Sequence, residues 1–314
     1  LGFDIRSRMF DGHDDLSHTG TTQPALFCLE YALAQAWLAR GAQPSALLGH
    51  SIGEFAAAVV SGVMSLADGA RLVARRGALM QALPAGRMLS VRLGAEALAP
   101  LIPPQISLAA ENGPNACVLA GPAEAIDACA AKLEAQGHAV RVLHTSHAFH
   151  SAQMEPAVEP FEREVRQARL NAPTIPIVST MTGTWLTDAQ ARDPQYWARH
   201  LREPVRFAPA LRTAKERHPA IFIELGPRGA LTALARQQTI AAVPSLADAP
   251  EAEAARFALA QGELWTLGRE LPFAATSATR RQRVPLPGYP FERKRHWLDA
   301  TPVSIPVAPA ATAT

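Results

Sequence analysis

Three cysteines in 314 residues are too few and too scattered to staple a fold. Cys28, Cys117 and Cys129 are odd in number and sit among apolar residues, which points to reduced, buried thiols and excludes a disulfide framework. None has the setting of a nucleophile. No apolar run reaches the roughly 18 residues of a membrane span and no signal-peptide pattern opens the chain, so it reads as cytoplasmic, without a membrane partner. An excess of one charge is also lacking: 30 Lys and Arg face 28 Asp and Glu, a formal net charge of +2. No basic block is long enough to track a phosphate backbone, which argues against nucleic acid as a partner. There are no internal repeats. What is present is 48 % hydrophobic and 18 % charged residues, an ordinary globular composition with room for one large domain and a smaller insertion. The chain opens on Leu1 and on polar, irregular sequence, and reads as part of a longer polypeptide.

The most informative segment is Gly49-His50-Ser51-Ile52-Gly53-Glu54. It follows the short apolar run Ala46-Leu47-Leu48 and precedes the helix-forming run from Glu54 to Val60. A strand, a sharp turn and a helix in that order lift a serine hydroxyl into a cleft, with the N–H groups of the helix start facing any oxyanion formed there. Ser51 is therefore the candidate nucleophile; the alternative is a tight turn with an incidental serine.

Around this elbow the pattern alternates strands and helices. Thr21 and Thr22 offer N-cap hydroxyls, Pro24 suits a first helical turn, and Leu26, Leu29, Leu33 and Trp37 mark one face before Gly41. A helix is expected from Leu66 to Leu83, with Arg76 on its apolar face. From Met88 the period changes: strand, short helix, strand, strand (Ala116 to Ala120), helix (Ala123 to Gln136) and strand (Ala139 to Leu143). This β-α-β-β-α-β order predicts a ferredoxin-like subdomain over 87–146. It interrupts an α/β-hydrolase-like domain of 1–86 and 147–270, where further βα alternation argues a mainly parallel sheet. From Leu271 periodicity fails. Residues 271–300 read as an extended strap anchored by Tyr289, Phe291 and Trp297, and 301–314 as a disordered tail.

A serine hydroxyl needs a base, and ten histidines compete. His50 adjoins Ser51 but points elsewhere on a sharp elbow, so packing and a local hydrogen bond suit it better. His144, His147 and His150 lie where the inserted subdomain returns the chain to the large one, the natural place for a cleft. A zinc site of these three lacks a cysteine or carboxylate pair at ligand spacing. His218 and His296 could serve a late-chain hydrolase triad, but neither follows a clear strand. Arg76 is the second informative residue: an inward guanidinium is costly unless it meets an anion, either a protein carboxylate or a carboxylated substrate beside Ser51.

Five separated motifs, in order, resemble malonyl-CoA:acyl carrier protein transacylases, and more closely the acyltransferase domains of modular type I polyketide synthases. They are Thr22-Gln23-Pro24-Ala25-Leu26, the Gly49 to Glu54 elbow, Arg76-Gly77 with Leu79-Met80-Gln81, Ser146-His147-Ala148-Phe149-His150-Ser151 with Met154, and Glu203-Pro204-Val205-Arg206-Phe207. The strap from Val284 to Leu298 resembles the linker that follows such domains. The resemblance implies Ser51 as the acylated nucleophile and His150 as general acid and base, its ring oriented by the main-chain carbonyl of His200 in place of a triad carboxylate. It implies that Arg76 holds a malonyl carboxylate, that the Ile52 N–H is one oxyanion donor and that Gln23 lines the pocket. Ile52 and His147-Ala148-Phe149-His150 resemble the malonyl-selective class, whose methylmalonyl-selective relatives carry Gln and Tyr-Ala-Ser-His; Phe149 would occupy the space of an α-methyl. The implied substrates and partners are malonyl-CoA, an acyl carrier protein bearing phosphopantetheine, and neighbouring ketosynthase and linker domains, with no metal or cofactor.

In one respect the chain departs from the family. The strand and Gly-Gln-Gly-Ser/Ala-Gln segment whose glutamine supplies a second oxyanion donor has no counterpart before Thr21, and loss of such a donor costs about 10²–10³ in rate. Slow turnover or poor folding is the expectation. The alternatives are a serine hydrolase or thioesterase, and a non-catalytic docking module of a megasynthase.

Overall fold

Helix formation begins earlier than Thr21 and Thr22 suggest. In the computed structural model, which describes residues 3–11, 16, 18–217, 221–269, 271 and 285–294, even the polar opening contains a helix, α1 (Ile5–Phe10). Helix α2 (Thr19–Ala39) starts after His18, which caps it only through its backbone position. Thr22 donates its hydroxyl back to the His18 carbonyl at 3.0 Å, and Pro24 lies inside the helix. The elbow follows strand β1 (Leu47–Leu48) and leads into α3 (Gly53–Val60); α4 (Leu66–Gln81) comes next, capped by Ser65.

Residues 87–142 hold a four-stranded antiparallel sheet: β2 (Arg87–Val91), α5 (Ala95–Leu98), β3 (Ser107–Gly113), β4 (Ala116–Gly121), α6 (Ala123–Ala135) and β5 (Val140–Val142). Its strand order, β3-β4-β2-β5, is that of a ferredoxin-like unit. Period-two alternation gives the sheet two buried faces. Leu89, Val91, Cys117 and Leu119 pack with Ile126 and Leu133 of α6. Met88, Val118 and Ala120 face the rest of the domain, against Phe207, Leu211 and Ala242. Burial on both sides explains why these strands read clearly in the sequence.

The larger part continues with α7 (Glu155–Val165), β6 (Ile177–Val178), α8 (Asp188–Ala191), α9 (Pro194–Arg199), α10 (Phe207–Arg217), β7 (Phe222–Glu224), α11 (Ala230–Gln237), β8 (Ala242–Pro244) and α12 (Glu253–Thr266). Its strands are parallel, as expected, but they form two hydrogen-bonded pairs, β1 with β6 and β7 with β8. No ladder joins the pairs among the described residues; contact is made by side chains, Leu48 and Phe222 both packing against the cluster of Val178, Ala210 and Ala214. Strands of two or three residues carry too few ladder bonds to extend further. The main core lies beside β1 and β6, with Phe55, Phe161, Trp197 and Met154 fully buried.

By contacts the chain divides into two units, Leu1–Thr276 and Ser277–Thr314. All the site residues below belong to the first. In the second, residues 285–294 contain neither helix nor strand, and the exposed rings of Tyr289 and Phe291 pair edge to face at 4.8 Å. Trp297, the strap's arginines at 280, 281, 283 and 295, and the 301–314 tail lie outside the described residues.

Candidate active site

The turn after β1 has no room for a side chain at its first position: a Cβ on Gly49 would stand 2.1 Å from the Glu54 nitrogen. The chain pivots there, and Ser51 adopts a left-handed backbone with φ +52°. That conformation costs a non-glycine residue roughly 1–2 kcal/mol and persists where the surroundings over-determine it. The strain presents Ser51 Oγ to the ring of His150, whose Nε2 lies 2.7 Å away.

His150 is itself held at φ +54° and is buried. Its Nδ1 donates to the carbonyl of Glu203 at 2.9 Å. A carbonyl can only accept, so the proton of the neutral ring sits on Nδ1, and Nε2 is left to accept from the serine hydroxyl. The ring stays neutral at physiological pH. Burial depresses its pKa well below the usual histidine range, and the neighbouring Arg76 and His200 depress it further, against a smaller opposing effect of the Glu203 carbonyl.

The acceptor corrects the sequence-based assignment: it is Glu203, not His200. Helix α9 ends at its C-cap His200 and the chain keeps turning, the Glu203 N–H bonding the Arg199 carbonyl, before Pro204 forces extended backbone. The carbonyl delivered to the cleft is thus that of Glu203. His200 is buried behind His150 at 6.1 Å between ring centroids, its Nε2 3.3 Å from Glu54 Oε2.

Arg76 points inward from α4 and is 1 % exposed. Its Nη1 donates to Gln23 Oε1 at 2.6 Å and its Nη2 to Ser51 Oγ at 3.3 Å, while Nε is buried without a partner. The guanidinium also lies 5.8 Å from the Phe55 ring centroid. Among the described residues no carboxylate pairs with it, and burial lowers its pKa to about 9. Gln23, Ser51, Arg76 and His150 therefore meet in one place from four elements. Ile52 is buried at the N-cap of α3. Phe149 is half-buried, touching both large core clusters, with its ring 6.0 Å from that of His147.

The remaining histidines part company with His150. His144 is exposed. His147 donates from Nε2 to the Leu83 carbonyl at 3.0 Å and accepts at Nδ1 from Ser146 Oγ at 2.7 Å, pinning the loop to the end of α4. His50 points to β3, where its Nε2 donates to Asn112 Oδ1 at 2.8 Å. His218 and His296 lie outside the described residues. Burial also raises the pKa of all three thiols, that of Cys117 to about 11.

Two participants escape a reading of the sequence. Glu203 stands within one of the five motifs, but nothing local says where its carbonyl points. Glu54 reads locally as the first residue of a helix, yet it is a fully buried carboxylate; the available signal is an acid directly before the apolar run Phe55 to Val60.

A strained serine at a strand-to-helix turn, a neutral histidine bonded to it and a main-chain carbonyl behind that histidine define a serine–histidine acyl-transfer site on an α/β scaffold. The acyl transferase domain family matches residues 2–259, and the chain belongs to that family. Among curated relatives, a component of the phenolphthiocerol/phthiocerol polyketide synthase of Mycobacterium tuberculosis is 35 % identical over 320 residues, covering 99 % of this chain and 21 % of that protein. Polyketide synthase GfsB of Streptomyces halstedii is 40 % identical, covering 91 % of this chain and 5 % of that protein. The chain thus spans about a fifth or less of these relatives' length. Among solved structures, the acyltransferase domain from the second module of the salinomycin polyketide synthase superposes with a TM-score of 0.82 at 41 % identity, covering 87 % of this chain and 66 % of that one. No helix among the described residues is long and apolar enough to cross a membrane.

Proposed function

We propose that this domain takes a malonyl unit from malonyl-CoA onto Ser51 and passes it to the phosphopantetheine thiol of an acyl carrier protein, as the extender-loading acyltransferase of a polyketide synthase. The observation that carries the reading is Arg76, a buried cation 3.3 Å from the nucleophile with an unsatisfied Nε and only an amide and the serine hydroxyl as hydrogen-bond partners. Such a group costs stability unless a ligand brings an anion, and a planar fork suits a carboxylate. Polyketide synthase relatives support the wider setting, with a carrier protein and ketosynthase as partners.

In the first half-reaction Ser51 Oγ attacks the thioester carbon while its proton passes to His150 Nε2. The Ile52 N–H faces the oxyanion, and the tetrahedral intermediate collapses as the CoA sulfur leaves with the proton from His150. In the second half the carrier thiol gives its proton to His150 and attacks the malonyl-serine ester, and Ser51 recovers the proton. Arg76 holds the carboxylate throughout, and no metal or redox cofactor enters the scheme. Phe149 limits room at the α-carbon and favours malonyl over methylmalonyl by the roughly 1–3 kcal/mol that one methyl can carry.

The test is mass-spectrometric mapping after incubation with labelled malonyl-CoA. The expected result is a malonyl adduct on Ser51, absent in Ser51→Ala, and its transfer to a holo carrier protein. Labelling that survives Ser51→Ala would sink the assignment. Hydrolysis of simple esters with no dependence on Arg76 would favour a thioesterase, and carrier-protein binding without any acylation would favour a docking module.

A further inference from the structure

Glu54, three residues beyond the nucleophile, carries a 0 % exposed carboxylate to which the reaction scheme assigns no task. A buried carboxylate survives only where hydrogen bonds replace its water, and this one is richly supplied. Oε2 accepts from the Thr180 N–H at 2.9 Å, lies 2.7 Å from Thr180 Oγ1 and 3.3 Å from His200 Nε2; Oε1 accepts from the Tyr196 hydroxyl.

These partners share a location. Tyr196 and His200 belong to α9 and its cap, immediately before the 201–206 segment. Thr180, just past β6, accepts the Arg206 N–H on its own carbonyl at 2.6 Å, at the far end of the same segment. Between these two attachments lies Glu203, whose carbonyl holds His150 Nδ1. Thr180 Oγ1 also reaches back to the Gly49 carbonyl at 3.0 Å, so the elbow itself is part of the lattice.

We infer that Glu54 is a positioning residue for the Ser51–His150 couple: from the nucleophile's own helix, its carboxylate fastens both ends of the segment whose Glu203 carbonyl aims the histidine. Serine and base are then set against each other through one side chain, although they lie 99 positions apart. The carboxylate stays ionised despite its burial, which by itself raises the pKa; the His200, Tyr196 and Thr180 contacts outweigh that effect and leave it below the usual carboxylate range. The inference rests on the Ser51–His150 part of the proposed function and is independent of which acyl group is carried.

The experiment measures covalent labelling of Ser51 by a fluorophosphonate probe, resolved into a limiting rate constant and a half-saturating concentration. The probe contains neither carboxylate nor CoA, so failure of the malonyl reading would not affect it. Glu54→Gln keeps the shape but replaces one carboxylate oxygen by an amide donor, so that either Thr180 and His200 or Tyr196 loses its acceptor. At a temperature well below its melting point, its limiting rate is expected to fall about a hundredfold, the order of a misplacement near 1 Å, with half-saturation unchanged. A role confined to stability would leave the limiting rate of the folded variant at the wild-type value, and that result would overturn the inference. Should Glu54→Gln not fold, Tyr196→Phe decides: it removes the bond to Glu54 and the neighbouring contact with Ser179 Oγ at 2.6 Å, and about a tenfold loss in limiting rate supports positioning, whereas a wild-type rate overturns it.

Discussion

Ser51 and His150 occupy the same uncommon backbone conformation, φ +52° and +54°, while their side chains meet at 2.7 Å. The local strain is sustained by packing around both turns, since nothing in a serine or a histidine favours it. Glycine visits this region without steric cost, whereas alanine does not. Ser51→Gly is therefore expected to be more stable than Ser51→Ala by about 1 kcal/mol in urea denaturation, with both inactive. Equal stabilities would mean that the elbow relaxes when the hydroxyl is removed.

Gly49 offers the opposite case. Its Cβ would fall within 2.1 Å of backbone atoms of Gly53 and Glu54, which cannot swing away as a side chain can. Gly49→Ala should cost at least about 3 kcal/mol, measured by the same denaturation. A cost under about 1 kcal/mol would show that the turn is softer than its geometry implies.

The general base gives a pH prediction. In the proposed scheme only neutral His150 accepts the serine proton, and its pKa lies well below the usual value of about 6.5 because of burial, Arg76 and His200. The acylation rate should stay flat as pH falls from 8 through 6.5 and decline only further down. Arg76→Leu removes one positive neighbour, which raises the His150 pKa and moves that acid limb upward. The check is the pH profile of fluorophosphonate labelling in both proteins; an unmoved or lowered limb in the variant would contradict the electrostatic assignment.

Arg76 also separates function from stability. In the free protein it is a buried cation without a carboxylate partner among the described residues, so an apolar replacement removes a desolvation cost. Arg76→Leu is expected to lose malonyl transfer by at least about 10²-fold while melting no lower than wild type. A clearly lowered melting temperature would point instead to a structural role for the Gln23–Arg76 bond.

In the proposed function, selectivity rests on Phe149. Phe149→Ala should narrow the preference for malonyl-CoA over methylmalonyl-CoA in direct competition by between about 10-fold and 200-fold. An unchanged ratio would move the discrimination to another wall of the pocket.

Local rules account for much of the site. The Gly49 turn, the inward register of Arg76 beside Leu72 and Met80 on α4, and the β-α-β-β-α-β order all follow from residue type and period, which act over a few positions. The same rules say less about the short parallel strands. β1 and β6 have two residues each, too few for a periodic signal, and their pairing in two separate ladders depends on neighbours far along the chain. Helices α8 and α9 likewise give little signal, being short.

By itself the sequence determined which residues could do chemistry: a serine in a Gly-x-Ser-x-Gly turn between a short apolar run and a helix, a histidine in a loop returning from an inserted unit, and an arginine on an apolar helix face. Those properties belong to single residues and their immediate neighbours. Tertiary structure decided how they work together: that Glu203 rather than His200 orients His150, that Gln23 rather than a carboxylate meets Arg76, and that Glu54 ties the elbow to the base. Each of these is a hydrogen bond across dozens of residues, and its partner is chosen by the packing of whole elements.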